Sequence, residues 1–169
     1  MKHIVASDIA KYFIASFQKK KADISNLKLQ KLLYYAQAWH LALYDAPLFD
    51  DKIEAWVHGP VVRGVFREYK EFGWKPLSVQ ISNRIFSDEV NGHLKEVIRV
   101  YGKFDAVILE RMTHREAPWR DARGNLAPDE PSNRAITHEA MKKFTSACLM
   151  GRMRCESAPA ICSEAIFAW

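Results

Sequence analysis

Residues 29–43 read LQKLLYYAQAWHLAL and predict one long helix. Apolar residues recur there at helical spacing, and Tyr34 and Tyr35 widen the apolar stripe beyond a single face. Ser25 or Asn26 is expected to cap the beginning of this helix, since both residue types accept hydrogen bonds from the first helical turn. A helix that is apolar on more than one face is normally the central helix of its domain, and we expect that role here.

Apolar periodicity and turn residues predict further elements on both sides of this helix. Before the central helix we expect a helix from Ser7 to near Lys20. After it we expect a strand between Phe49 and His58 and a helix that is started by Pro60 and ends near Gly73. The second half of the chain is expected to form helices from Ser87 to Gly102 and from Phe104 to His114, a short helix at Pro118, a strand at 134–136 and a helix from Thr137 to Cys148. A further short strand is considered at 77–81. The pattern predicts a mainly α fold, a compact helical domain of about six helices with a small β-hairpin or short strands, over residues 1–150. Residues 151–169 are expected to form a C-terminal tail, and its docking on the domain is left open.

The composition indicates a folded protein without a membrane segment. Apolar residues make up 49% of the chain and charged residues 27%, which is typical of globular domains. No apolar run approaches the roughly 20 residues that span a bilayer. The first five residues lack the apolar stretch of a signal peptide. We therefore expect a soluble, cytoplasmic protein with no membrane contact.

The net charge of +5 is concentrated at the beginning of the chain. Residues 1–31 hold seven lysines and two aspartates, whereas residues 32–169 hold 18 basic and 18 acidic residues. A basic patch attracts nucleic acid or acidic proteins. The alternative hypothesis is therefore a nucleic-acid-binding or regulatory module, with a weak phosphate contact at Lys19, Lys20, Lys21 and Lys28. The run of three lysines is equally consistent with favourable electrostatics at a helix C-terminus.

The familiar catalytic and metal-binding motifs are absent from the sequence. It contains no nucleophile elbow, phosphate-binding loop, dinucleotide fingerprint or H-E-x-x-H pair, and its three cysteines form no C-x-x-C pair. His114 and Glu116 are the best candidates for an acid–base pair, but they can equally satisfy backbone groups at a helix end while Trp119 packs in the core. His58 is either an exposed functional ring or a residue that holds the following Gly-Pro bend. We predict no enzymatic activity, no cofactor and no metal site.

Several short segments carry a resemblance to a known family. They are LQKLLYYAQ at 29–37, PLF at 47–49, EAWVHGPVV at 54–62, THREAPW at 113–119 and ITHEAM at 136–141. In this order they resemble the Panacea domain of the SocA-like antitoxin family, which is also found in phage-associated proteins. The resemblance covers roughly residues 5–145 and leaves the C-terminal tail uncovered.

The resemblance implies function by binding. Panacea proteins look like antitoxins that are encoded beside small toxins and neutralise them by direct protein contact, in some systems by presenting the toxin to a protease. The implied partner is a cognate toxin, with a protease or chaperone as a further candidate, and the oligomeric state is left open.

The family carries no established catalytic residues, so the resemblance leaves the contact surface as the site to be located. We expect that surface to include exposed side chains of the two best-matched segments, namely Gln30, Lys31, Tyr34, Trp56, His58 and Arg63. His114 and Trp119 of a later matched segment complete the candidate set. The alternative is that most of these residues determine the fold.

Overall fold

Seven α-helices and a small sheet are formed by residues 3–80 and 86–151, the parts of the chain that the computed structural model describes. The helices are α1 Ala6–Lys19, α2 Asn26–Tyr44, α3 Arg63–Glu68, α4 Asp88–Tyr101, α5 Ala106–Arg115, α6 Ala117–Arg123 and α7 His138–Leu149. The strands are β1 Ile53–Trp56, β2 Gly59–Val62 and β3 Ala135–Ile136, and a 3₁₀ turn at Lys70–Phe72 follows α3. The predicted mainly α fold with a small hairpin is confirmed.

Helix α2 is the central element of this fold, as its apolar pattern predicts. Fourteen of its nineteen residues are buried, and it contacts α1, α3, α4, α5, α7 and β2. Ser25 is the N-cap, and its hydroxyl accepts a hydrogen bond from the backbone N–H of Lys28 at 3.3 Å. The helix ends at Asp45, whose left-handed backbone turns the chain before Pro47.

A β-hairpin occupies the position where the sequence predicts a strand-to-helix joint. The predicted helix start at Pro60 is wrong, because Pro60 lies in β2 and pairs with Ala55 of β1. The φ of +97° at Gly59 allows the tight reversal that precedes it. Proline has no N–H to donate and is tolerated in an edge strand, and β2 lies at the edge of the sheet order β2-β1-β3. Helix α3 therefore begins at Arg63.

The residues at which α4 and α7 are predicted to begin are their N-caps, whereas α1 begins before its predicted start at Ser7. Ser87 and Thr137 accept hydrogen bonds from the first turns of α4 and α7. In α1 the N-cap is Val5 rather than Ser7. The Asp8 carboxylate, in the first turn of α1, accepts a hydrogen bond from the backbone N–H of Val5 at 3.3 Å.

The segment after the 3₁₀ turn crosses the surface without forming a strand at residues 77–80. The backbone N–H of Leu77 donates to the carbonyl of Ile24 at 2.8 Å, which attaches this segment to the beginning of α2. Residue 81, the last of the strand considered from the sequence, lies outside the described residues. The predicted tail lies outside them as well, apart from Gly151 at its start.

Candidate functional site

The first half of α2 holds the β1–β2 hairpin through two buried polar side chains. Gln30 Oε1 accepts the backbone N–H of Val62 at 2.9 Å. Lys31 Nζ donates to the backbone carbonyl of Pro60 at 3.2 Å. These contacts satisfy backbone groups along the outer edge of β2, which a sheet edge otherwise exposes. Two side chains of the segment LQKLLYYAQ therefore fix the position of the hairpin on α2.

The middle of α2 is joined to the α5–α6 junction by two tyrosines that share one carboxylate. The Tyr34 hydroxyl donates to Glu116 Oε2 at 2.8 Å, and the Tyr35 hydroxyl donates to Glu116 Oε1 at 2.9 Å. Burial and the adjacent carboxylate raise the pKa of both hydroxyls well above the ordinary value, so both remain donors. The ring of Tyr35 also stacks on that of Tyr101, with 3.9 Å between centroids.

Gln37 attaches the second half of α2 to the loop that follows it and to α7. Its Oε1 accepts the backbone N–H groups of Leu48 and Phe49 at 2.9 and 3.2 Å, and its Nε2 donates to the Phe49 carbonyl at 2.8 Å. The same Nε2 lies 3.0 Å from His138 Nε2. Polar side chains of α2 thus contact every other segment on which the family resemblance depends.

Lys31 is enclosed beneath the hairpin turn. A Cβ placed on Gly59 would lie 2.7 Å from Lys31 Cε and 2.9 Å from Thr113 Oγ1, so a glycine is needed to leave room for the lysine. Desolvation by burial lowers the pKa of Lys31 to about 7, against the attraction of Glu110, which raises it. Lys31 is 0% exposed, and no partner can touch it in this arrangement.

Two histidines flank the Glu110 carboxylate on α5. The exposed His58 places Nδ1 3.0 Å from Glu110 Oε1, and His114 Nε2 lies 4.0 Å from the same oxygen. The His114 ring stacks on Trp119 with 4.0 Å between centroids, and burial lowers its pKa. Trp119 Nε1 donates to the backbone carbonyl of Trp56 at 2.9 Å. This cluster joins α5 and α6 to the hairpin.

Half of the residues predicted to form an exposed surface are buried. Exposure is at most 2% for three of them, Gln30, Lys31 and Tyr34, because α2 is covered on all sides. The other three reach the surface on the hairpin and at the start of α3: Trp56, His58 and Arg63. Of the two later candidates, His114 is half-buried and Trp119 is buried. The prediction of exposure is thus wrong for the α2 residues, which support the hairpin from inside.

A groove of about 740 Å³ lies between the beginning of α2, the β1–β2 hairpin, α3, the 3₁₀ turn and the residues before β3. We call it the aromatic groove, because its walls include Trp56, Phe66 and Trp74 together with His58, Arg63 and Lys70. Four of the eight predicted residues line it: Gln30, Trp56, His58 and Arg63. No aspartate or glutamate is among the described residues that line it. A groove of this size and apolar character is typical of a binding site.

Arg63 is held in place at the side of the aromatic groove. Its Nε and Nη2 donate to the Glu54 carboxylate, with the shortest distance 2.8 Å, and its guanidinium lies 5.8 Å from the centre of the Trp56 ring. Burial alone raises the pKa of Glu54, but hydrogen bonds from Arg63 and Trp56 outweigh it and leave that pKa below its ordinary value. The arginine therefore stays oriented, and part of its guanidinium still faces solvent.

Among the groove residues that were not predicted from the sequence, three have aromatic or charged side chains: Phe66, Lys70 and Trp74. Trp74 is 79% exposed, the most exposed large apolar side chain of the described residues. It lies in the polar stretch after the 3₁₀ turn and matches no apolar period. An isolated tryptophan in a polar segment is the signal that would have identified Trp74 as a groove residue. A large apolar side chain that belongs to no apolar period is expected at the surface, where it marks an interaction site.

The basic region divides into two parts. The three consecutive lysines, Lys19, Lys20 and Lys21, are exposed at the end of α1. Lys28 instead donates from Nζ to the Gly102 carbonyl at 2.8 Å and lies over the Phe17 ring, and burial lowers its pKa despite the attraction of Asp105. A phosphate contact at the three exposed lysines stays a prediction, and Lys28 is engaged elsewhere.

Within residues 3–80 and 86–151, no three histidine, cysteine, aspartate or glutamate side chains are grouped closely enough to hold a metal ion. None of the helices in the described part of the chain is long and apolar enough to cross a membrane.

Comparison with known proteins identifies the family. The family described as antitoxin SocA-like, Panacea domain, matches residues 29–120. This range begins in α2 and ends in α6, so it contains the hairpin, α3 and the Glu116 junction. Neither the search of curated proteins nor the search of solved structures gives a match. Because the family match covers more than half of the chain, the protein belongs to the SocA-like antitoxin family and carries its Panacea domain.

Proposed function

We propose that this protein neutralises a cognate toxin by direct protein–protein contact, and that the aromatic groove is part of the contact surface. The observation that carries this proposal is the groove itself, a cavity of about 740 Å³ with aromatic walls, most of whose lining residues belong to the family-matched region. Aromatic anchors and arginine in a partly desolvated groove are what protein contacts use most for affinity.

The interior of the domain supports a role in binding rather than catalysis. Glu116, half of the acid–base pair considered from the sequence, is 3% exposed and accepts hydrogen bonds from two tyrosines. Its possible partner His114 is stacked against Trp119. A general acid or base must lie within hydrogen-bond distance of the substrate. A buried carboxylate that already accepts hydrogen bonds from two tyrosines is not accessible to one.

Co-expression tests the proposal. The protein encoded by the adjacent small gene is produced from an inducible promoter, with and without this chain, and growth is measured. We expect growth arrest by the neighbour alone and recovery when both proteins are present, together with a complex of the two after purification. A neighbour that is harmless, or that remains toxic with this chain present, overturns the proposal. The amount of neighbour protein in recovered cells then separates sequestration, which preserves it, from presentation to a protease, which lowers it.

The basic run supplies the second candidate function, contact with nucleic acid. Its support is the exposure of Lys19, Lys20 and Lys21 next to one another at the end of α1. Binding of this kind weakens steeply as salt is added, because it releases counterions. A fluorescence anisotropy titration with duplex DNA at low salt tests it. Binding that the triple replacement of these lysines by glutamine abolishes supports it, and the absence of binding at low salt ends it.

A further inference from the structure

We infer that the aromatic groove receives a segment of the toxin that carries an apolar anchor side chain beside one or more carboxylates. This inference rests on the proposed function and names the chemistry of the partner. Two independent properties of the groove support it. One is the aromatic wall, with an exposed tryptophan at the rim, and the other is that the charged side chains lining the groove are cationic.

The apolar part of the groove is built from three aromatic side chains. The rings of Trp56 and Phe66 meet edge to face, with 5.0 Å between centroids, which leaves a shaped wall rather than a flat surface. Trp74 stands at the rim with 79% of its surface exposed. An exposed tryptophan gains the most when a partner covers it, and tryptophan is enriched among residues that dominate binding energy. A volume of about 740 Å³ accepts several side chains of a peptide segment.

The charged groups of the groove favour an acidic partner. Arg63 and Lys70 line it together with His58, and the described lining contains no aspartate or glutamate. Arg63 Nη1 makes no hydrogen bond with any described residue, although Nε and Nη2 of the same side chain are held by Glu54. The ammonium of Lys70 has neither an ion pair nor a hydrogen bond within the described chain. Each of these two groups can donate a charge-assisted hydrogen bond to a carboxylate of a partner.

The two properties together select one class of occupant. A purely apolar ligand would use the aromatic wall, but it would desolvate Lys70 without a partner and leave Arg63 Nη1 without a hydrogen bond, which is unfavourable. A nucleic acid would use the cations, but this site offers two of them rather than the extended basic track that phosphate backbones require. A peptide segment with an apolar anchor and an adjacent aspartate or glutamate uses both properties.

Two groove variants and two matched variants outside the groove test the inference. Trp74→Ala removes the rim aromatic group, and Lys70→Glu reverses the charge, both at exposed positions that leave the core untouched. Lys95→Glu on α4 and Val107→Ala on α5 are the controls, since both residues are exposed and neither lines the groove. Urea unfolding of all four proteins verifies that they fold like the wild type.

The affinity of each variant for the purified toxin is measured by isothermal titration calorimetry. We expect Trp74→Ala and Lys70→Glu to weaken binding at least about tenfold, the two controls to stay within about threefold of the wild type, and Trp74→Phe to recover part of the loss. A water-soluble carbodiimide, which joins lysine ammonium groups to carboxylates, is expected to link Lys70 to an aspartate or glutamate of the toxin that has an apolar neighbour in sequence.

The outcomes separate the two proposals. Wild-type affinity in both groove variants, with a complex still formed, overturns the inference and leaves the antitoxin function standing. The absence of any complex between the wild-type chain and the toxin overturns both. Sedimentation of the free chain tests whether a second copy of the protein occupies the groove. A dimer of the wild-type chain that Trp74→Ala dissociates would show that it does, and this result also overturns the inference.

Discussion

The hydroxyl of Tyr35 donates a hydrogen bond of 2.9 Å to Glu116, joining α2 to the α5–α6 junction across 81 positions of the chain. Tyr34 donates to the other oxygen of the same carboxylate. All three side chains are almost completely buried. A buried carboxylate needs such donors, because it would otherwise lie in an apolar surrounding without compensation. The family signatures at residues 29–37 and 113–119 therefore describe two halves of one polar contact.

Replacement of Tyr35 by Phe is expected to lower the free energy of unfolding by about 1.5–3 kcal/mol, since it removes a hydrogen bond to a charged group in the interior. The measurement is urea denaturation at pH 7. Tyr44→Phe is the matched control, because the Tyr44 hydroxyl makes no hydrogen bond with a described residue, and a change within about 0.5 kcal/mol is expected there. A double-mutant cycle of Tyr35→Phe with Glu116→Gln should give a coupling of about 1 kcal/mol or more. Additive effects would contradict the contact.

Replacement of Gly59 by Ala is expected to lower the free energy of unfolding by at least about 2 kcal/mol, through a positive φ and a close approach to Lys31 and Thr113. Gly64→Ala is the matched control in α3. A Cβ at Gly64 meets nothing within 4 Å, and alanine in a helix gains up to about 1 kcal/mol over glycine. Urea denaturation of both variants measures the contrast, and equal effects would show that the hairpin turn tolerates a side chain.

The stability of the protein is expected to rise with pH above neutrality because of Lys31. The pKa of Lys31 is about 7 in the folded protein and 10.5 in its ordinary state. Between these values the unfolded chain binds more protons, so the free energy of unfolding increases with pH by up to about 1.4 kcal/mol per unit. The contribution is complete above pH 10.5, is lost progressively as pH falls from 10.5 to 7, and is absent below 7. Lys31→Met removes it, and the difference between the two proteins at pH 7, 8 and 9 isolates it from other groups. Parallel pH profiles would argue against a desolvated lysine.

Acid is expected to destabilise the fold through His93, which lies on α4 and hydrogen-bonds the Ala36 carbonyl at 2.8 Å. Burial lowers the pKa of His93 from 6.5 to about 4. The contribution of this residue is therefore complete above pH 6.5 and is lost progressively as pH falls toward 4, by up to about 1.4 kcal/mol per unit. Burial also lowers the pKa of His40, whose ring lies 5.3 Å from that of His93, so it acts in the same direction.

Thermal unfolding of His93→Gln between pH 4 and 7 checks this prediction. The variant is expected to lose less stability than the wild type over this range. If His93→Gln and the wild type lose stability in parallel, the acid response comes from groups other than His93.

Most of the helices could be predicted from the sequence because their signals are local. The spacing of apolar residues in α2 and the capping hydroxyls of Ser25, Ser87 and Thr137 act over three or four positions. The Gly59-Pro60 pair could not be assigned in this way. Proline is equally suited to the first turn of a helix and to an edge strand, and the choice depends on pairing with β1 and on Gln30 and Lys31 of α2.

The sequence by itself determined the mainly helical class, the central position of α2 and the family, because each depends on local periodicity or on short matched segments. The tertiary structure alone decided which polar residues of those segments face inward. Lys31 is buried because its partner carbonyl at Pro60 and the space beside Gly59 lie 29 and 28 positions further along the chain. The tertiary structure also formed the aromatic groove, because Trp56, Phe66 and Trp74 come from three separate segments that only packing brings together.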